Sequence, residues 1–221
     1  MIRLFTKVAI VAVAASTGAC DGGSEYCPEL SVVADGSGSS VARGELWGTC
    51  TPEPGAGGGD DNLDVTARGQ SEYLDGPVVF EFDDGGTSFR FALSRGDDLS
   101  DAPDSTVTLP ERFTLAGIDE GGEVSRAGGV TLTWMEDDAG DRMRWRVSGA
   151  CLDAAGDGFP DEGSLALDSS DVRALAGRQA EHCTAELCVE RRRNGRLDPF
   201  FDGSGAIYAV QQRCVGFTSI P

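Results

Sequence analysis

The sequence predicts a mainly β protein: an antiparallel β-sandwich or open barrel with one short helix, stapled by disulfides. Three observations carry this. Apolar residues recur at every second position in several segments, the period of half-buried strands. Those segments are separated by runs rich in Gly and Asp, in a chain holding 31 Gly and 9 Pro. Seven cysteines provide a covalent framework.

Taken in order, the first strand signal is 40–49. The stretch 52–62, Pro-Glu-Pro-Gly-Ala-Gly-Gly-Gly-Asp-Asp-Asn, reads as a surface loop, or a linker after a small stapled N-terminal piece. Val78, Phe80 and Phe82 alternate with Val79 and Glu81. After Asp83-Asp84-Gly85-Gly86, Phe89, Phe91 and Leu93 alternate with Arg90 and Ala92, which predicts a hairpin. Segments 105–109 and 112–118 are further strand candidates. Val130, Leu132 and Trp134 share one face, the loop 136–141 reverses the chain, and Met143, Trp145 and Val147 share the next face. This predicts a second hairpin, with Arg142, Arg144 and Arg146 turned outward.

Val172, Leu175, Ala176 and Ala180 stand near helical spacing over 171–181, with Ser169 or Ser170 as the cap, and predict the one helix. Strands are predicted again at 184–193 and 206–217. Asn194-Gly195 reads as a two-residue hairpin turn, since both positions tolerate positive φ.

The N-terminus is of another kind. Arg3 and Lys7 precede the apolar run Val8 to Ala15, and Ser16-Thr17-Gly18-Ala19 lead to Cys20. The run is too short to span hydrocarbon, which takes roughly 20 apolar residues. These residues resemble the signal peptide and lipobox of bacterial lipoproteins, with Thr17 where Leu, Val or Ile is usual. The resemblance covers residues 1–20. It implies cleavage before Cys20, lipid on its sulfur and new amine, and a protein anchored by lipid to the cell envelope, at the inner or the outer membrane. The domain plan is then a signal peptide at 1–19, a lipidated tether at 20–26 and a β-rich extracytoplasmic domain at 27–221.

Cysteine parity agrees with this. Seven is odd; with Cys20 lipidated, six remain, and six allow fifteen pairings. The expected pairs are Cys27–Cys50, closing a local loop, Cys151–Cys183, pinning the ends of an irregular insertion, and Cys188–Cys214, joining C-terminal strands. The rival scheme joins Cys183 to Cys188 and Cys151 to Cys214. His182, Cys183 and Cys188 lie close together but lack a CxxC pair, a weak zinc pattern.

Charge narrows the partners. Beyond residue 19 the chain carries 37 acidic residues and 16 arginines, a net charge of −21. Phosphate binding needs a basic footprint, so nucleic acid is not an expected partner.

Two segments invite a site. Asp153, Asp157 and Asp161 occupy positions 1, 5 and 9 of a segment resembling a DxDxDG calcium loop, with the turn residue Gly158 at position 6. Ala155 and Ser164 stand where ligands 3 and 12 belong. Arg191, Arg192, Arg193 and Arg196 flank the Asn194-Gly195 turn and suggest a contact for an anionic envelope component or a protein. No GxSxG elbow is present, and His182 is the only histidine. The expectation is a binding or structural module. The alternative is a secreted hydrolase acting on polysaccharide or peptide with carboxylate or metal chemistry, marked by buried, partnered carboxylates converging in a cleft.

Overall fold

The structure, a computed structural model, describes residues 26–48, 61–95, 101–137, 139–201 and 205–221. Its strands are β1 (Tyr26–Ala34), β2 (Ser40–Gly48), β3 (Asn62–Ala67), β4 (Gln70–Tyr73), β5 (Val78–Phe80), β6 (Ser88–Ser94) and β7 (Ala102–Thr108). They continue with β8 (Glu123–Ser125), β9 (Val130–Thr133), β10 (Arg142–Gly149), β11 (Asp153–Pro160), β12 (Ser164–Leu167), β13 (Cys183–Asn194) and β14 (Ala206–Ile220). One 3-10 turn, Pro199–Phe201, interrupts the last connection.

The frame is an eight-stranded sheet in the order β11-β10-β13-β14-β1-β2-β5, with β8 also on β14. A four-stranded sheet, β4-β3-β6-β7, covers one end, and the pair β12-β9 covers the other. The fold is therefore a β-sandwich with two cores. The first gathers Leu30, Val32, Val65, Phe80, Phe89, Phe91 and Ile207; the second gathers Leu132, Trp134, Met143, Trp145, Leu187 and Phe217. Most pairings are antiparallel, as expected; β1–β14 and β8–β14 are parallel. Residues 26–48 do not form a separate stapled piece, because β1 lies beside the last strand of the frame. The expected loop 52–62 lies outside the described residues as far as residue 60, and Asn62 opens β3.

Both expected hairpins are corrected. β5 pairs with β2, whereas β6 pairs with β3 and β7. Likewise β9 pairs with β12, and β10 with β11 and β13. Each loop carries the chain from one sheet to the facing one. Across the first core, Phe80 meets Phe89 edge-on with ring centroids 5.4 Å apart. Alternation requires one buried face, and facing strands meet that requirement as well as neighbouring ones do.

The helix expected at 171–181 is a succession of turns. The Asp168 carboxylate accepts the N–H groups of Ser170 and Asp171 at 2.6 and 3.3 Å, which curls the chain back instead of propagating a helix. Gly177 has φ +80°, outside helical space, and Ala174 bridges Leu152. Segment 112–118 contributes only an isolated bridge, Ala116 to Thr133. Neither Asn194 nor Gly195 has positive φ. The chain does not turn back at once, and Arg196 bridges Thr106 of the facing sheet. A Cβ on Gly195 would collide with the Thr106 carbonyl oxygen, so this glycine serves close approach.

β13 and β14 are long enough to serve both cores. Along β14 the inward residues are Ile207 and Ala209 in the first core, then Gln211 and Arg213, then Val215 and Phe217 in the second. Arg191 of β13 lies opposite Gln211. A polar seam thus crosses the frame where the cores meet. No helix among the described residues is long and apolar enough to cross a membrane.

Candidate functional site

The seam ends in a cavity of about 340 Å³ lined by Asp137, Gly140, Asp141, Arg142, Pro160 and Asp161. Three carboxylates converge there, and two arginines of β13 reach them. Alternation along Leu187, Val189, Arg191 and Arg193 turns all four inward, so the two arginines enter the protein.

Arg191 and Asp161 form an ion pair at 2.8 Å, with side chains only 1% and 2% exposed. Arg191 also donates from Nη1 to the Glu111 carbonyl at 3.0 Å and from Nη2 to that of Met135 at 2.6 Å. Its guanidinium lies 5.0 Å from the Phe113 ring centroid. The Arg191 Nε has no hydrogen-bond partner among the described residues. Asp161 accepts the Trp134 indole N–H at 2.6 Å and the Asp137 N–H at 3.1 Å. Arg193 grips Asp141 with two bonds of 2.8 Å and reaches Asp137 at 3.1 Å. The bond to Asp141 pushes the Arg193 guanidinium above its ordinary range, against the opposing effect of burial.

The rest of the seam joins the lobes. Arg213 donates to the Phe113 carbonyl at 2.9 Å and to the Gln211 side chain at 3.1 Å. Burial lowers its pKa. The Gln211 amide donates to the Asp83 carbonyl at 2.8 Å. The buried Asp83 carboxylate pairs with Arg112, which also holds Asp84 at 2.8 Å. Segment 109–113, the link from β7 towards the second lobe, is thereby tied to the frame.

The calcium-loop expectation is corrected. Asp153 and Asp157 belong to β11, an extended strand paired with β10, and not to a loop that wraps an ion. The extended strand holds Asp153 at its start and Asp161 just past its end, too far apart to share one ion. Asp153 lies 3.5 Å from Arg146, and Asp161 is held by Arg191.

The arginine-tip expectation is corrected too. Arg191 and Arg193 turn inward onto Asp161, Asp141 and Asp137. Arg192 turns outward and stacks 3.8 Å from the Tyr208 ring centroid. The Tyr208 hydroxyl donates to Glu29, and its pKa is raised, chiefly by burial and then by that carboxylate. Of the four, Arg196 alone is exposed. Sequence reasoning missed Asp137 and Asp141, read only as turn residues. An available signal was an arginine in the inward register of a strand, which calls for a buried anion.

Cys151 and Cys183 are bridged with Cα atoms 5.9 Å apart, and Cys188 and Cys214 with Cα atoms 4.0 Å apart. Both are pairs named from the sequence, and the rival scheme is excluded. Cys27 is also disulfide-bonded; Cys50, its expected partner, and Cys20 lie outside the described residues. Glu186, Cys188 and Cys214 cluster closely, but both sulfurs are bridged and are not thiolate ligands. His182 and Cys183 do not meet Cys188 in a zinc set, since Cys183 is joined to Cys151.

The cavity has the converging carboxylates that a hydrolase would need. Each of them, however, is engaged by a guanidinium, and Asp161 and Asp137 also accept further N–H donors, which commits lone pairs that acid–base chemistry would use. The arrangement locks β13 to the loop 136–141 and to residue 161.

No protein-family model matches the sequence, and no curated protein matches it. Among solved structures the chain is similar to the FN1–FN3 domains of chicken CNTN1, at 8% identity and TM-score 0.30, covering 87% of this chain and 64% of that one. It is also similar to a two-domain fibronectin type III segment of chicken tenascin, at 11% identity and TM-score 0.24, covering 75% of this chain and 90% of that one. Likeness at that level carries no functional argument.

Proposed function

We propose that this chain is a lipoprotein anchored in a bacterial cell envelope, where it acts as a binding or structural module. Its covalent framework supports the reading. Two described disulfides, with Cys27 bridged as well, fit an oxidising compartment outside the cytosol. All five cysteines among the described residues are disulfide-bonded, while Cys20 and Cys50 lie outside them. The β1–β2 register sets Gly48 opposite Tyr26, which brings the approach to Cys50 to the Cys27 end of the hairpin. A Cys27–Cys50 bridge would leave Cys20 over, and the lipobox gives that cysteine a use.

β1 begins six residues after Cys20. At about 3.3–3.6 Å per residue the tether reaches roughly 20–25 Å, so the sandwich sits close to the bilayer. Double acylation of Cys20 makes release negligible, since two anchoring signals suffice for stable attachment. The arginine-locked carboxylates favour a module over the hydrolase. The partner class expected from sequence, an anionic envelope component or a protein, belongs to the same proposal.

The test is Cys20→Ser. The native protein is expected in the detergent phase of a phase-separating detergent, and the variant in the aqueous phase or unprocessed. A variant that still partitions with detergent overturns the lipoprotein reading.

A further inference from the structure

Arg126, at the end of β8, is buried, and among the described residues no carboxylate lies within ion-pair distance of it. Its N–H donates to the Ile220 carbonyl at 2.9 Å, which seats it under the turns of 168–182. Nη2 donates to the carbonyls of Gln179 and Glu181, both at 2.9 Å. Nη1 donates to the Ser219 hydroxyl at 2.8 Å and contacts the Cys151 sulfur at 3.5 Å. A buried cation without a counter-anion is costly. In this set the sulfur is the one acceptor that readily becomes an anion, because a thiolate forms most easily beside a positive charge.

The bridge is asymmetric. Cys151 is wholly buried and touches the guanidinium. Cys183 is 8% exposed, follows the exposed His182 and accepts the neutral Cys151 N–H at 3.2 Å. A charge-assisted contact is roughly twice as strong as a neutral one. The Cys188–Cys214 bridge has the opposite setting. It is nearer to solvent, but the Glu186 carboxylate lies 3.6 Å from the Cys188 sulfur and opposes a thiolate there.

We infer that Cys151–Cys183 is a thiol-exchangeable bridge in which Arg126 receives Cys151 as the departing thiolate. An incoming thiolate attacks the Cys183 sulfur and forms a new S–S bond. The old S–S bond breaks, and its electron pair leaves on the Cys151 sulfur beside Arg126. A second thiol of the same class then attacks the mixed disulfide, frees Cys183 and departs as the oxidised thiol pair, which completes a two-electron reduction. Exchange quickens as the leaving thiol becomes a better thiolate. The proposal is independent of whether Cys20 carries lipid.

The experiment exposes the folded, oxidised protein to reduced glutathione at neutral pH, quenches with acid, alkylates free thiols and maps the products by peptide mass spectrometry. Glutathione is expected on Cys183 and the alkyl tag on Cys151. Arg126→Gln is expected to slow opening of this bridge about tenfold relative to Cys188–Cys214 in the same molecule, and Arg126→Lys to retain most of the rate. General loosening of the fold would speed both bridges and loosening of the turns that Arg126 holds would speed this one, so only slowing of this bridge relative to the other supports the inference, and a raised ratio overturns it. Glutathione shared evenly between the two sulfurs, an unchanged ratio in Arg126→Gln, or a bridge that opens only in denaturant overturns the inference.

Discussion

Replacing Asp161 by Asn removes one charge and almost no volume. The Asn oxygen still accepts the Trp134 indole N–H, which now stands 2.6 Å from the carboxylate. Arg191, 1% exposed, is left with two carbonyls and the Phe113 ring as its surroundings, and its Nε has no partner among the described residues. Removing one member of a buried ion pair costs about 3–5 kcal/mol, because the other charge stays buried without compensation. For a domain of this size about 1 kcal/mol shifts Tm by roughly 2–4 °C, so the expected fall is on the order of 6–20 °C. Urea unfolding with the disulfides intact measures the free energy directly. Adding Arg191→Met to Asp161→Asn removes the orphaned charge and is expected to restore most of the loss, a coupling that a double-mutant cycle quantifies. A loss below about 1 kcal/mol for Asp161→Asn, the range of exposed pairs, would falsify the claim that this pair is buried and that it joins the lobes.

Gly195→Ala would press a methyl group against the Thr106 carbonyl oxygen and Val107, so a loss of about 1–3 kcal/mol in urea unfolding is expected; unchanged stability would show that the contact between the sheets is loose. The Arg68 hydrogen bond holds the Asp84 carboxyl below its ordinary 3.8, so the stabilisation it brings is present above that pH and fades as pH falls through the lower folded value. Carboxyl NMR should show a depressed midpoint that rises in Arg68→Gln; equal midpoints would remove Arg68 as the cause.

Much of the site was legible in pieces, each under another heading. Asp161 appears in the sequence as the last ligand of a calcium loop, and Arg191 and Arg193 as an anion contact. In the folded chain, residues from these two candidate sites are partners. Each reading treated a cluster of like charges as facing outward to a ligand. The strand period decides otherwise, because Arg191 and Arg193 share the inward register of Leu187 and Val189, while Arg192 faces away. Asp137 and Asp141, in a loop of turn formers, carried no local sign that they bind β13.

The sequence by itself determined much of the apolar core. Phe80, Phe89, Phe91, Trp134, Met143, Trp145 and Val147 are all in the cores that their alternation predicts. It also put the two described disulfide pairs ahead of the other pairings, but the structure excluded the rival scheme by setting Cys188 opposite Cys214 within β13 and β14. Only the tertiary structure decided which strands are neighbours. Alternation is a local property of one strand against one apolar surface, and it is the same whether the next strand continues the sheet or faces it across the core. The outcome rests on contacts remote in sequence: β1 along β14, Phe80 against Phe89, Arg191 on Asp161. The 171–181 segment follows the same logic, for its helical spacing yielded to the Asp168 turn and to a bridge from Ala174 to Leu152, which lies 22 residues earlier in the chain.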